Sequence, residues 1–192
     1  EAFQSGAVIF ATGGAGRIYG RSTNALINTG MGMAIPYWTG VPLKDMEFIQ
    51  FHSTNLLGKN ILITEGRRGE GGYLLNNKGE RFLEKYNDSK KDMEVAPRDI
   101  ISRNIMYEIM AGGGFYNSYV HLDLTHLGEE KIAKRLPGIR DASMEFVGVD
   151  PVTAPIPIQP GQHYTMGGID CNTECETSIK GFYAAGEAAC VS

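Results

Sequence analysis

Two short, unbroken apolar runs near opposite ends of the sequence constrain the fold more than anything between them. Ala7-Val8-Ile9-Phe10-Ala11 is closed by Thr12-Gly13-Gly14, and Gly181-Phe182-Tyr183-Ala184-Ala185 turns at Gly186-Glu187. Continuous rather than alternating apolar character predicts strands buried on both faces, as in a parallel sheet. After the first run, Ser22-Thr23-Asn24 offers caps for a helix reaching about residue 34, which Pro36 ends or kinks.

The texture between the two runs is different. Residues 73–75, 76–79 and 80–82 read as strand, turn and strand of a hairpin. Pro97 suits a helix start, Ile101, Ile105 and Ile109 give that helix an apolar stripe, and Gly112-Gly113-Gly114 stops it. Val120, Leu122 and Leu124 alternate as in a half-buried strand. A charged helix over 129–136 stops near Pro137, another runs to about 147, and Pro151, Pro155, Pro157 and Pro160 predict an extended connector. The fold class expected is therefore α/β at both ends with α+β between them, the pattern of one domain inserted into another.

Composition narrows the function classes. Eighteen basic against 22 acidic residues give a net charge of −4, which argues against bulk nucleic-acid binding. Cys171, Cys175 and Cys190 are an odd, sparse set that fits a reducing compartment. Cys171-x3-Cys175 has no second Cys or His pair nearby, so no metal site is expected. No apolar run approaches the roughly 18 residues of a membrane span, and Glu1-Ala2-Phe3 leads into strand-like sequence, so no signal peptide is expected here.

The chemistry gathers at a few points. Ile61-Leu62-Ile63 runs into Thr64, Glu65, Arg67, Arg68 and Glu70 among glycines 66, 69, 71 and 72. Two guanidiniums, two carboxylates and a hydroxyl on a flexible backbone can hold a small dianion and move a proton. Pro97-Arg98-Asp99 is a second basic site; His52-Ser53 and His163-Tyr164-Thr165-Met166-Gly167-Gly168 are two histidine sites. Taken singly, each has an ordinary structural reading: a satisfied histidine in a strand, a solvated turn, a helix start, a plain turn.

Their order is more specific. ATGGAGRIY at 11–19, DMEFIQFH at 45–52, TEGRRGEGG at 64–72, APRD at 96–99, HYTMGG at 163–168 and GFYAAGEAAC at 181–190 together resemble the flavoprotein subunit of succinate dehydrogenase and fumarate reductase, with L-aspartate oxidase as a close relative. The likeness covers essentially the whole chain. It implies an FAD-binding domain of Rossmann type, here incomplete and formed by residues 1–45 and 163–192, with an inserted capping domain over 46–162.

By that resemblance, His52, Thr64 and His163 bind substrate carboxylates, Arg98 is the proton donor, and Glu65 and Arg68 form the relay that reprotonates it. FAD would be approached by Ala11, Thr12, Gly13 and Gly14, with Glu187 bonding its ribityl or ribose hydroxyls and Met166-Gly167-Gly168 beside the ring. The implied reaction interconverts fumarate and succinate by hydride transfer. The implied partners are an iron–sulfur subunit and a quinone-binding membrane anchor, holding a cytoplasmic chain at the periphery of the inner membrane. The family's N-terminal G-x-G-x-x-G turn, a flavin-linking histidine and a further substrate arginine beyond Cys190 fall outside these 192 residues, so the chain reads as the middle of a subunit and is expected to be inactive alone.

The chain departs from the family at Ser53, where a proline is usual, at Met31, where relatives commonly carry a flavin-contacting aspartate, and at Arg67, often a small residue. L-aspartate oxidase is the alternative enzyme, although its members tend to have Thr-Glu-Ala-x-Arg where this chain has Thr64-Glu65-Gly66-Arg67-Arg68. A non-catalytic capping module is the alternative from another class.

Overall fold

The computed structural model describes residues 2–63 and 69–191. The chain forms two compact units, one of residues 1–50 and 162–192, the other of residues 51–161.

In the first unit, strand β1 (Val8–Phe10) pairs in parallel with β8 (Phe182–Ala184), Ile9 opposite Tyr183. The two apolar runs are thus neighbours, and the Phe10 and Phe182 rings meet edge to face at 4.9 Å. Burial on both faces does not follow. Val8 is 46% and Ile9 66% exposed, because β1 and β8 make a sheet of two strands among the described residues. A second ladder joins β2 (Leu43–Lys44) antiparallel to β7 (Gly168–Ile169). Val41, Ile169, Ala184, Ala188 and Ala189 form the small core of this unit.

The helix expected after Ser22-Thr23-Asn24 is also absent. Helix α1 spans Met31–Trp38 and begins at Gly30, whose φ of 80° a side chain would resist. Ser22 instead bridges Gln162 in parallel, its hydroxyl donating to Gln162 Oε1 at 2.6 Å. Side chains suited to cap a helix are used here by a distant strand, which local propensity cannot foresee. Pro36 lies inside α1, and the helix runs two residues past it to Trp38.

The second unit is built on a four-stranded sheet in the order β3 (Ile49–Leu56), β6 (Ile156–Thr165), β5 (Val120–Asp123), β4 (Tyr73–Leu75). β5 is antiparallel to both neighbours, with Leu122 opposite Leu74 on one side and Ile156 on the other. Leu74, Val120, Leu122, Ile156 and Ile158 are fully buried, together with Ile101 and Ile105 from α2 (Arg98–Glu108) and Ile132 from α3 (Glu129–Arg135). Each such side chain contributes roughly 1.5–3 kcal/mol by leaving water. α4 (Pro137–Val147) has its proline at the first position and Gly148, φ 69°, at its C-terminus, the order that proline geometry and glycine freedom favour.

Two expectations fail in this unit. Residues 80–82 do not return as a strand: β4 pairs with β5, while Phe82–Lys85 forms a short 3₁₀ turn. The turn itself is held locally, Asn76 Oδ1 accepting the amides of Lys78 and Glu80. Pro157 and Pro160 are not in a connector but inside β6, an interior strand. Pro157 sits opposite His121 of β5, and its carbonyl accepts the Leu57 amide at 3.2 Å on the other side. A residue's N–H and C=O point the same way in a strand, so its missing donor costs the β5 ladder nothing.

Candidate functional site

In the first unit the end of β1 meets the turn after β8. Gly13 has φ 77°, and a Cβ at Gly14 would collide with the Glu187 carboxylate. A Cβ at Gly32 would collide with the Thr12 side chain, and Gly167 and Gly168 press against the backbone of Asp45 and of Ala188–Ala189. Gly167 and Gly168 are demanded by close backbone crossings, whereas Gly14 and Gly32 make room for the side chains of Glu187 and Thr12. Glu187 Oε1 accepts the Thr165 amide at 2.8 Å, and Thr165 Oγ1 in turn accepts the Ala15 amide at 3.2 Å. Burial, and then the charge of Glu187, push the Tyr164 phenol above its ordinary pKa. The structure thus brings Gly13, Gly14 and Glu187 together; Ala11 and Thr12 are exposed at the strand end. A cradle with no room for side chains, ending in a carboxylate, fits a cofactor rich in hydroxyl groups such as FAD.

His163 lies two residues before Thr165, at the end of β6, and is half-buried. Its Nδ1 is 2.8 Å from the Thr23 hydroxyl, and its carbonyl accepts Asn24 Nδ2 at 3.0 Å. The Thr23 amide donates to Gln162 O at 3.0 Å and the Gln162 amide to Arg21 O at 2.8 Å. The 21–24 stretch is therefore a rail along which the histidine is set. Sequence reasoning missed Thr23 and Asn24 because the same residue types advertise a helix cap.

In the second unit His52 is fully buried on β3. The Thr54 amide donates to His52 Nδ1 at 3.3 Å, and the Thr54 hydroxyl donates to Ile63 O at 3.2 Å. Arg98 opens α2 directly after Pro97, whose ψ of 151° stands outside the helix. Ser102, one turn further on, donates to Phe51 O at 3.1 Å. The helix carrying Arg98 is thereby tied to the strand segment carrying His52. Asp99 is engaged by Arg103 at 2.7 Å on the solvent side.

Thr64, Glu65 and Arg68 lie outside the described residues. Glu70, grouped with them in the sequence, is committed elsewhere: Arg135 Nη2 donates to its carboxylate at 2.6 Å and Lys131 Nζ to its carbonyl at 2.9 Å. The Arg135 hydrogen bond holds the Glu70 carboxyl below its ordinary pKa, against the opposing effect of desolvation. Glu70 itself is thus held to α3. Among the described residues, no three His, Cys, Asp or Glu side chains are grouped so as to hold a metal ion, and no helix is long and apolar enough to cross a membrane.

A model of the FAD binding domain family matches residues 1–192. The fumarate reductase flavoprotein subunit of Serratia sp. is 49% identical over 98% of this chain and 33% of its own length. The succinate dehydrogenase flavoprotein subunit of Coxiella burnetii is 50% identical over 99% of this chain and 34% of its own. Among solved structures, the FrdA subunit of E. coli quinol fumarate reductase superposes with a TM-score of 0.91 and 48% identity, covering 96% of this chain and 34% of FrdA. The chain thus spans about one third of the length of the relatives it matches. On this evidence the chain belongs to the FAD binding domain family, and the members it is similar to are flavoprotein subunits of fumarate reductase and succinate dehydrogenase.

Proposed function

We propose that these 192 residues belong to a flavoprotein that interconverts fumarate and succinate, with residues 1–45 and 163–192 serving the FAD domain and 46–162 the capping domain. The observation that carries the reading is the likeness, over 96% of this chain and at 48% identity, to one third of the fumarate reductase flavoprotein. Bound FAD supplies hydride transfer to and from the central carbons of the dicarboxylate. The chain's own residues bind, orient and move the proton.

Gly13 and Gly14 admit the cofactor close to the backbone, and the Glu187 carboxylate accepts from its hydroxyl groups, with Ala11 and Thr12 alongside. His163 and His52 donate to substrate carboxylates, joined by the Thr64 hydroxyl. Fixing and twisting one carboxylate polarises the double bond and favours negative charge at the carbon that must be protonated. Arg98 delivers that proton. Arginine is a weak acid in water, but against a carbanion-like carbon the mismatch shrinks, and its positive charge stabilises the developing anion. Glu65 and Arg68 restore the proton, a carboxylate between guanidiniums being a sound conduit. The partners proposed are an iron–sulfur subunit and a quinone-binding membrane anchor, with this chain peripheral to the membrane on its cytoplasmic side.

The test is an anaerobic assay of a flavoprotein of the relatives' length that contains these residues, with reduced viologen and fumarate. Fumarate-dependent viologen oxidation is the expected result. Flavin reduction by L-aspartate with no fumarate turnover would overturn the reading.

A further inference from the structure

The Thr23 hydroxyl stands 2.8 Å from His163 Nδ1 and 3.4 Å from Gln162 O. It owns a single proton, and the shorter contact is the better hydrogen bond. Given to Nδ1, that proton makes Nδ1 an acceptor and leaves the ring's own hydrogen on Nε2. Given to Gln162 O, it would leave the hydroxyl oxygen to accept from Nδ1–H, and Nε2 would carry a lone pair. A carboxylate offers only acceptors, so in the neutral ring just the first arrangement lets the outer nitrogen bind one.

We propose that Thr23 is a positioning residue that fixes His163 as its Nε2–H tautomer, so that the imidazole presents a donor to a dicarboxylate. The inference rests on the carboxylate-binding role proposed above for His163. Three further observations support it. Thr23 does not reach the ring by chance, since its amide is bonded to Gln162 O at 3.0 Å and Asn24 Nδ2 holds His163 O at 3.0 Å. Ser22 Oγ adds 2.6 Å to Gln162 Oε1, so three consecutive residues run along the histidine's strand. His52 shows the same polarity with a donor that cannot be reversed: the Thr54 amide donates to its Nδ1 at 3.3 Å, which also places the ring hydrogen on Nε2. Two histidines given the same role are prepared the same way by different means, a hydroxyl in one case and a backbone amide in the other.

The experiment is 15N NMR of the histidine-labelled flavoprotein containing these residues, with the His163 signals identified by their loss in His163→Gln. A bare, pyridine-type Nδ1 in the wild type, a mixed or reversed tautomer in Thr23→Val and recovery in Thr23→Ser are expected. A protonated Nδ1 in the neutral wild-type ring, or an unchanged tautomer in Thr23→Val, overturns the proposal. If Thr23→Val fails to fold, Thr23→Ala takes its place, and an unchanged tautomer there overturns the proposal. Malonate, an unreactive dicarboxylate, is titrated in parallel against the FAD-loaded flavoprotein containing these residues. Thr23→Val should weaken its binding by about tenfold, the scale of one hydrogen bond to a charged group, and Thr23→Ser by about twofold or less. Unchanged malonate affinity in His163→Gln would defeat the substrate role of His163, a failure separate from the NMR result on Thr23.

Discussion

Ser102 of α2 donates its hydroxyl to the carbonyl of Phe51 at 3.1 Å, next to His52 on β3. Residues four apart lie on one helix face, so this bond registers the first turn of α2, and Arg98 with it, on the strand that carries the histidine. Arg98→Ala should lower fumarate turnover by at least about 100-fold, the scale of a lost proton donor, with FAD still bound. Ser102→Ala should cost about tenfold in kcat through misplacement of the helix start. Steady-state viologen assays alongside flavin absorbance check both, and full turnover by Arg98→Ala would remove it from the mechanism.

Gly14 and Glu187 form the other decisive contact. A Cβ at residue 14 would collide with the far end of a flexible side chain, so Gly14→Ala should still fold, at a cost of about 1–3 kcal/mol for the buried Thr165 amide it leaves unpaired. It should push Glu187 off the Thr165 amide and lower FAD retention by about tenfold, the scale of one charged hydrogen bond. Flavin absorbance after gel filtration measures this; retention equal to wild type would mean that the cradle does not meet the cofactor.

The acid and alkaline limits of the second unit should be set by Glu108 and Tyr86. Burial opposes ionisation of Glu108, but hydrogen bonds from Asn76 at 2.8 Å, Lys85 at 3.0 Å and Tyr86 at 3.0 Å outweigh it and hold the carboxyl below its ordinary value of 4.5. A depressed acid stabilises the fold fully above its ordinary value and ceases to as pH falls through the folded one. Tyr86 runs the other way: burial and Glu108 push its phenol up to about 12, so its contribution is full below pH 10 and is lost between 10 and about 12. Urea midpoints should fall at both ends, and Glu108→Gln should flatten the acid limb while Tyr86→Phe flattens the alkaline one. An acid limb unchanged in Glu108→Gln would assign it to other carboxylates.

Ser53 stands where relatives usually carry proline, and its hydroxyl is buried with no hydrogen-bond partner among the described residues. An unsatisfied buried hydroxyl is a cost. Ser53→Ala should therefore leave stability unchanged or raise it by about 1 kcal/mol, read as an upward shift in Tm. A clear loss would reveal a water or ligand bonded there.

The sequence by itself determined the elements whose cause is local. The apolar runs at Ala7–Ala11 and 181–185 contain strands because no polar face interrupts them, and Ile101 and Ile105 bury one face of α2, with Ile109 just past its end, because 3.6-residue periodicity aligns them. Tertiary structure decided what depends on a distant partner. Ser22, Thr23 and Asn24 cap no helix because Gln162 and His163, some 140 residues away, take their hydrogen bonds. Pro157 enters an interior strand because its missing donor faces away from β5. Glu70, read in the sequence as part of a local charge cluster, is bonded to Arg135 and Lys131 of α3. Local propensities differ by about a kilocalorie per residue or less, and a single well-placed hydrogen bond from another part of the chain is enough to reverse them.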